Sequence, residues 1–535
     1  MSYDPLYYPY ASRRMTTYAR NGMVATSQPL AAQAGLDALK QGGNAIDAAI
    51  AAAAALTVVE PTSNGIGGDA FALVWMNGKL HGLNSSGPAP KLISAAQLQK
   101  LGYSEMPRLG FLPVTVPGAP AAWAELSQRF GKLPLSQVLA PAVDYAENGY
   151  PVSPNLGRLW ESSYRLYRDN CQGNEFASWF STYAPNGRAP RIGEMWRSPD
   201  HASTLKEIAE TKARAFYEGA IADKIEAFSK EYGGYLRKDD LAEFAPQWVE
   251  PIRVSYRGYD VWEIPPNGQG IVALMALNLL KGFDLCERDS VETYHRQIDA
   301  IKLAFADAKK FVTDPKHMQV RVEDLLSDGY ADDRRRLIGN QALTPEPGRP
   351  PGGGTVYLAT ADSEGNMVSY IQSNYNGFGS GLVVPGTGIS LHNRGYTFSL
   401  DPSHANFLEP GKKTYHTIIP GFLTKDGSAV GPFGVMGAYM QPQGHVQVVT
   451  NSIDFQLNPQ AALDAPRWQW TEGKRVVLES SVPGHIAEAL ARRGHDIQIA
   501  VDSVSFGRGQ IIRREESGVL AGGTEPRTDG GIAAW

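Results

Sequence analysis

Pro350-Pro351-Gly352-Gly353-Gly354 cannot join a regular element, whereas the run after it, Thr355-Val356-Tyr357-Leu358-Ala359-Thr360-Ala361, is rich in strand formers. A loop of that composition delivers a hydroxyl to the first position of a strand. Cutting the bond before Thr355 would leave a free α-amine beside its own hydroxyl, so that one residue supplies nucleophile and base. The same residues also read as a flexible hinge into an ordinary strand. Other parts of the chain must decide between the two.

Competing chemistries lack their signatures. There is no Gly-x-Ser-x-Gly elbow, no His-Glu-x-x-His and no Cys-x-x-Cys, and the ten histidines are scattered. The glycines of Glu60-Pro61-Thr62-Ser63-Asn64-Gly65-Ile66-Gly67-Gly68-Asp69 match neither the dinucleotide fingerprint nor the phosphate loop, so tight turns are expected there.

Composition narrows the class further. With 535 residues, 43% hydrophobic and 20% charged, the chain is a folded globular protein of two domains or one large layered α/β body. A formal charge of −5 offers no basic face to nucleic acid and no general attraction to an anionic membrane. Only Cys171 and Cys286 occur, fewer than a disulfide-stabilised secreted protein would carry. The first ten residues lack an apolar export core, and a cytoplasmic protein is expected. The longest apolar stretch, Ala45 to Val59, contains Asp47 and is too short to span a bilayer.

The elements that must position Thr355 can be read in outline. Gly22 to Ser27 reads as a strand with Ser27 capping a helix from Pro29 to Lys40, closed by Gly42-Gly43. A second helix, Ala45 to Val59, is apolar all round and must be buried. Strands are expected from Ala70 to Trp75 and Leu80 to Leu83, turning at Asn77-Gly78. Helices follow from Gly118 to Glu147 and from His201 to Trp248, with Lys238-Asp239-Asp240-Leu241 as a turn. Val254 to Ile264 is strand-like, and Gln269 to Leu280 and Val291 to Phe311 are helical. Gln341 to Gly354 is a linker, after which strands dominate: Thr355 to Ala361, Met367 to Ser373, Gly388 to Asn393, Thr417 to Leu423 and Ala429 to Phe433, then a helix from Gln441 to Asp454. Strand pairs flanked by helices suggest two sheets between helical layers.

Several separated segments together resemble the γ-glutamyltransferase family of N-terminal nucleophile hydrolases. They are Gly42-Gly43-Asn44-Ala45-Ile46-Asp47-Ala48-Ala49, Glu60 to Gly68, Thr355 with Asp362 to Asn366, Gly377-Phe378-Gly379-Ser380-Gly381 and Asn451-Ser452-Ile453-Asp454, with Ala465-Pro466-Arg467 and Thr524-Glu525-Pro526-Arg527 near the end. The resemblance implies an α/β fold, an αββα sandwich of two stacked sheets between helical layers. It also implies a precursor cut at Gly354–Thr355 into a large fragment, 1–354, and a small one, 355–535. The two would stay together as a heterodimer, which in such a family can pair into a heterotetramer. Thr355 would be nucleophile and base, Ser373 would orient it, and the backbone amides of Gly437 and Ala438 would form the oxyanion hole. No metal or organic cofactor is called for. Ser373 reads alternatively as a solvent-facing strand serine.

The substrate-binding positions depart from the transferases. Their large-fragment arginine falls where this chain has Ser86 in Asn84-Ser85-Ser86-Gly87. In Asn393-Arg394-Gly395-Tyr396-Thr397 their glutamine is Arg394 and their aspartate Thr397, and their serine pair is His416-Thr417. Losing the acidic partner of a substrate ammonium and gaining an arginine points to a carboxylate-bearing substrate without an α-ammonium, and oxamate is the best fit within the amidohydrolase branch. Arg394 reads equally as the clamp for that carboxylate or as half of a structural salt bridge. Hydrolysis of glutathione or γ-glutamyl transfer is the alternative activity. A precursor that never matures and only binds is the third.

Overall fold

The computed structural model describes residues 14–345 and 354–535. Two seven-stranded antiparallel sheets carry the fold. In one, the order is Gly531–Ala534, Gly22–Thr26, Gly354–Asp362, Met367–Tyr375, Asp69–Met76, Lys79–Ser85 and Gln247–Val249. In the other it is Thr17–Ala19, Leu520–Thr524, Arg508–Arg514, Ser428–Met436, Gly421–Lys425, Tyr259–Glu263 and Ile252–Tyr256. Each sheet takes strands from both sides of Gly354, so fragments cut there would be interleaved rather than side by side.

Period-two alternation divides the core into layers. Tyr357, Ala359 and Ala361 pack with Met367, Ile371, Phe71, Phe422, Met436 and Ile512 in the space between the sheets. Val356, Leu358, Val368 and Tyr370 point the other way, into a helical layer built on Pro29–Lys40 and Ala45–Val59. On the far side, Gly270–Leu280, Val291–Phe311 and Met440–Ile453 cover Val254, Val261, Phe433 and Val435 of the second sheet. The result is the expected αββα sandwich.

The helix Ala45–Val59 is buried at every position. Its N-terminus is closed reciprocally: Asn44 Oδ1 accepts the Asp47 N–H at 3.1 Å while Asp47 Oδ2 accepts the Asn44 N–H at 3.0 Å. Asp362, at the end of the strand Gly354–Asp362, accepts the Ala45 N–H at 2.9 Å and so ties helix to sheet.

Several local expectations are corrected. Ser27 does not cap its helix; Gln28 holds that position, and the Ser27 hydroxyl donates to buried Glu60. Lys238–Ala242 forms a short helix rather than a turn. Gly388 to Asn393 makes only isolated bridges at Ser390 and Leu391, because its backbone bonds go to Gly67 and to the loop around Ser380 and Leu382. The strands after residue 500 were not anticipated, and residues 346–353 of the linker lie outside the described residues. Among the described residues no helix is long and apolar enough to cross a membrane.

Candidate active site

Thr355 shares the parity of Tyr357 and Ala359, the side chains that enter the space between the sheets. A register shift between Gly354 and Val356 against the neighbouring strand adjusts its aim. The residue is 1% exposed, and its Oγ1 lies 3.0 Å from Ser373 Oγ. Ser373 is fully buried, which removes its reading as a solvent-facing strand serine, and its Oγ accepts the Tyr375 N–H at 2.7 Å. That bond fixes the serine oxygen relative to the backbone. Tyr375, directly across from Gly354, holds a φ of 71°, a left-handed conformation that bulky residues rarely adopt.

The strand Ser428–Met436 faces the strand of Thr355 across the space between the sheets, with Gly434 against the Tyr357 ring, and Gly437 and Ala438 turn the chain into the helix Met440–Ile453 with φ of 137° and 50°. Gln269 Nε2 donates to the carbonyls of Thr417 at 2.6 Å and Ala438 at 2.8 Å, holding the turn from its carbonyl side. No acceptor among the described residues takes the N–H of Gly437 or of Ala438. Two such amides at the positive end of a helix form a cradle suited to a developing oxyanion.

A buried ionic cluster sits next to the pair of hydroxyls. Asp69, cross-strand partner of Ser373, accepts Arg394 Nε at 2.8 Å, Arg394 Nη2 at 3.1 Å and His416 Nε2 at 2.7 Å, and His392 Nδ1 approaches within 3.2 Å. Arg394 Nη1 donates to Thr417 Oγ1 at 2.8 Å, and the guanidinium lies 4.6 Å from the Tyr375 ring centre. Burial pushes the Asp69 carboxyl up, but the Arg394 guanidinium, with the His416 and His392 rings bonded or close to the carboxylate, outweighs it and holds the group well below the ordinary aspartate value. Burial, helped by Arg394 and opposed by Asp69, lowers His416 to about 4, so its imidazole is neutral at neutral pH. Of the two readings of Arg394, the salt bridge is the one present: the Nε and Nη2 edge that would clamp a substrate carboxylate is closed by Asp69.

The remaining candidates divide into two groups. His416 and Thr417 join the Asp69 cluster. Asn393 accepts the Asn376 N–H at 3.1 Å and donates to the Arg108 carbonyl at 2.9 Å. Thr397 bonds the Arg394 carbonyl and Thr414 and lines a cavity of about 710 Å³ with Tyr375, Tyr396, Tyr415 and Tyr439. Ser86 stands apart, its hydroxyl donating to Asn84 at 2.8 Å and lying 3.2 Å from Asn267 Nδ2. The glycine cluster serves tight turns as expected, the Ser63 N–H reaching the Glu60 carbonyl at 3.2 Å and the Gly68 N–H that of Gly65 at 3.1 Å, although Gly65, Gly67 and Gly68 all lack positive φ. They are small because a Cβ on Gly67 would lie 2.3 Å from the Ser390 carbonyl oxygen, and one on Gly68 2.6 Å from that of Ser373.

Of groups that could hold a metal, His295, Asp299 and His495 bring ligand atoms within 4.8 Å of one another. Lys302 Nζ already lies 2.9 Å from Asp299 and 3.2 Å from His495 Nδ1, so an ammonium occupies the cation's place.

Comparison with known proteins agrees with this geometry. The gamma-glutamyltranspeptidase family model matches residues 31–535. The chain belongs to that family. It is 37% identical over 521 residues to the glutathione hydrolase-like YwrD proenzyme of Bacillus subtilis, covering 95% of this chain and 97% of that one. To the oxamate amidohydrolase proenzyme of Klebsiella pneumoniae it is 32% identical over 529 residues, covering 96% and 98%. Among solved structures, a cephalosporin acylase from Bacillus halodurans superposes with a TM-score of 0.98 at 64% identity, covering 100% of this chain and 99% of that one. The sandwich is therefore that of the N-terminal nucleophile hydrolases, and the gamma-glutamyltranspeptidase-family chain is a hydrolase.

Proposed function

We propose that this chain is an autoprocessing N-terminal threonine amidohydrolase acting on an amide that carries a carboxylate. Its precursor would be cut at Gly354–Thr355 into a large fragment, 1–354, and a small fragment, 355–535, that remain one body. The observation that carries the reading is the buried Thr355 hydroxyl, 3.0 Å from Ser373 Oγ, on a strand whose Tyr357 ring meets Gly434 of the strand that leads into the turn at Gly437 and Ala438. Once the bond is cut, the α-amine of Thr355 takes the proton of its own hydroxyl, Oγ1 attacks the substrate carbonyl, and the amine returns the proton to the departing nitrogen. The backbone amides of Gly437 and Ala438 would receive the oxyanion, a contribution worth about 3 kcal/mol per donor. Water then hydrolyses the acyl-threonine.

Oxamate is the small-substrate reading, supported by the 32% identity to an oxamate amidohydrolase proenzyme. The closed Asp69–Arg394 pair removes the arginine on which that choice rested, and the 710 Å³ cavity beside Tyr375 favours a larger acyl group. Cleavage of γ-glutamyl amides is the alternative, supported by the glutathione hydrolase-like relative. Two free cysteines, Cys171 buried and Cys286 exposed, favour action in the cytoplasm.

Mass spectrometry tests maturation: wild type is expected as two fragments meeting at residues 354 and 355, and Thr355→Ala as one inactive chain. Extensive cleavage in that variant would place the nucleophile elsewhere. Ammonia release from oxamate and colour from γ-glutamyl-p-nitroanilide then rank the two substrate readings. No turnover of any amide by a fully cleaved preparation would defeat the reading.

A further inference from the structure

Asn376 lines a second cavity, one residue along the chain from the Tyr375 that borders the first. It measures about 330 Å³, and Met436 and Gly437 of the proposed oxyanion turn form part of its wall. Its lining is one-sided in charge: two arginines, Arg108 and Arg508, and no aspartate or glutamate among the described residues.

Arg108 and three buried polar atoms of the cavity's lining side chains lack hydrogen-bond partners among the described residues. Arg108 is exposed, and its guanidinium makes no hydrogen bond or ion pair with any described residue. Asn376 Nδ2, Thr62 Oγ1 and Arg508 Nε are buried without a hydrogen-bond partner, in side chains that are 2%, 4% and 7% exposed. Nδ2 and Nε are donors, and the hydroxyl of Thr62 can donate. Arg508 is held from behind by Glu60, its Nη1 lying 3.2 Å from Glu60 Oε1. Asn393 fixes the two nearer members together through its bonds to the Arg108 carbonyl and the Asn376 N–H. Buried donors left unsatisfied around a cationic hollow are costly unless a ligand completes them.

We propose that this cavity is an anion-binding subsite in which Arg108, with Asn376 and Arg508, takes the carboxylate of the substrate. It rests on the amidohydrolase reading above and gives that reading its cation, which Arg394 no longer supplies. Arg108 comes from the loop before Pro113, away in sequence from Ser86, which stands where the transferases have their large-fragment arginine. The carboxylate belongs either to the acyl part of the amide or to its amine part, and both would meet the same donors.

Calorimetric titration separates these sources and does not depend on turnover. Wild type, Arg108→Gln and Arg108→Lys, each checked for cleavage on a denaturing gel, are titrated with glutarate for the acyl side and N-acetylglycine for the amine side, with glutaramide as the neutral control. One of the two acids is expected to bind wild type, to weaken about tenfold or more in Arg108→Gln and less in Arg108→Lys, and to weaken with added salt. Glutaramide is expected to be indifferent to the substitution. Absence of binding of either acid to wild type, or equal affinities in wild type and Arg108→Gln, overturns the subsite. Loss of acid binding in Arg108→Gln alongside absent amide turnover would instead leave the subsite standing and defeat the amidohydrolase reading.

Discussion

At the scale of single residues, the Asp69–Arg394 pair makes opposite demands on two kinds of measurement. A buried pair broken on one side leaves an uncompensated charge, so Asp69→Asn is expected to lower unfolding free energy by about 3–5 kcal/mol. Arg394→Gln is expected to do the same in denaturant titration while leaving KM for a carboxylate substrate nearly unchanged. A large rise in KM with unaltered stability would restore the clamp. Ser373→Ala removes the hydroxyl 3.0 Å from Thr355 Oγ1, and slowing of both maturation and kcat by about 100-fold or more is expected, read on gels and in turnover. Unchanged rates would reduce Ser373 to packing. The bend before Thr355 is legible in the sequence as glycines followed by strand formers, but its reading as a nucleophile comes from the separated segments that carry the family resemblance. Arg394 was visible too, but its partner lies 325 residues earlier, and no spacing rule connects positions that far apart. Arg108 gave no local signal at all, since what singles it out is the shared cavity.

At the scale of elements, close approach adds to turn chemistry around Thr355. Gly68 precedes Asp69 with its Cα against the Ser373 carbonyl, so Gly68→Ala would push a methyl to 2.6 Å from that oxygen and shift the strand end carrying Ser373. Maturation is expected to slow more than global stability falls, measured by the fragment ratio over time and by thermal melting. Normal maturation in that variant would show that the strand end tolerates displacement. Helices such as Val291–Phe311 and Ala45–Val59 were readable because their composition alone requires their environment. The closing strands Arg508–Arg514, Leu520–Thr524 and Gly531–Ala534 were not, being glycine-containing and short, with their pairing to Ser428–Met436 and Gly22–Thr26 supplied by tertiary contact. The glycines after Glu60 do serve turns, as at Gly65–Gly68, but composition does not also disclose the crowded crossing that leaves no room for a Cβ on Gly67 and Gly68.

At the scale of the whole molecule, buried imidazoles set how the sandwich responds to acid. Burial alone lowers His201 to about 4, and burial with Arg394 lowers His416 to about 4 against the pull of Asp69. An unfolded chain protonates the same rings near pH 6.5, so between there and about pH 4 it binds more protons than the folded one and stability falls with pH. Each such histidine contributes up to about 3 kcal/mol that is fully present above pH 6.5 or so and gone by about pH 4. Asp69 works in a different window: its depressed carboxyl favours the fold at and above the unfolded aspartate value near pH 4 and withdraws that support only below it. The urea midpoint is therefore expected to drop substantially from about pH 7.5 to about pH 4.5, before the ion pair itself is lost. His201→Gln, at a site whose Nδ1 is 2.8 Å from Ser198 Oγ and far in sequence from Thr355, is expected to flatten part of that fall even if it lowers the neutral-pH midpoint. A midpoint that holds steady across the interval would mean that these rings are protonated inside the fold, and Asp69 would then face a second cation beside Arg394.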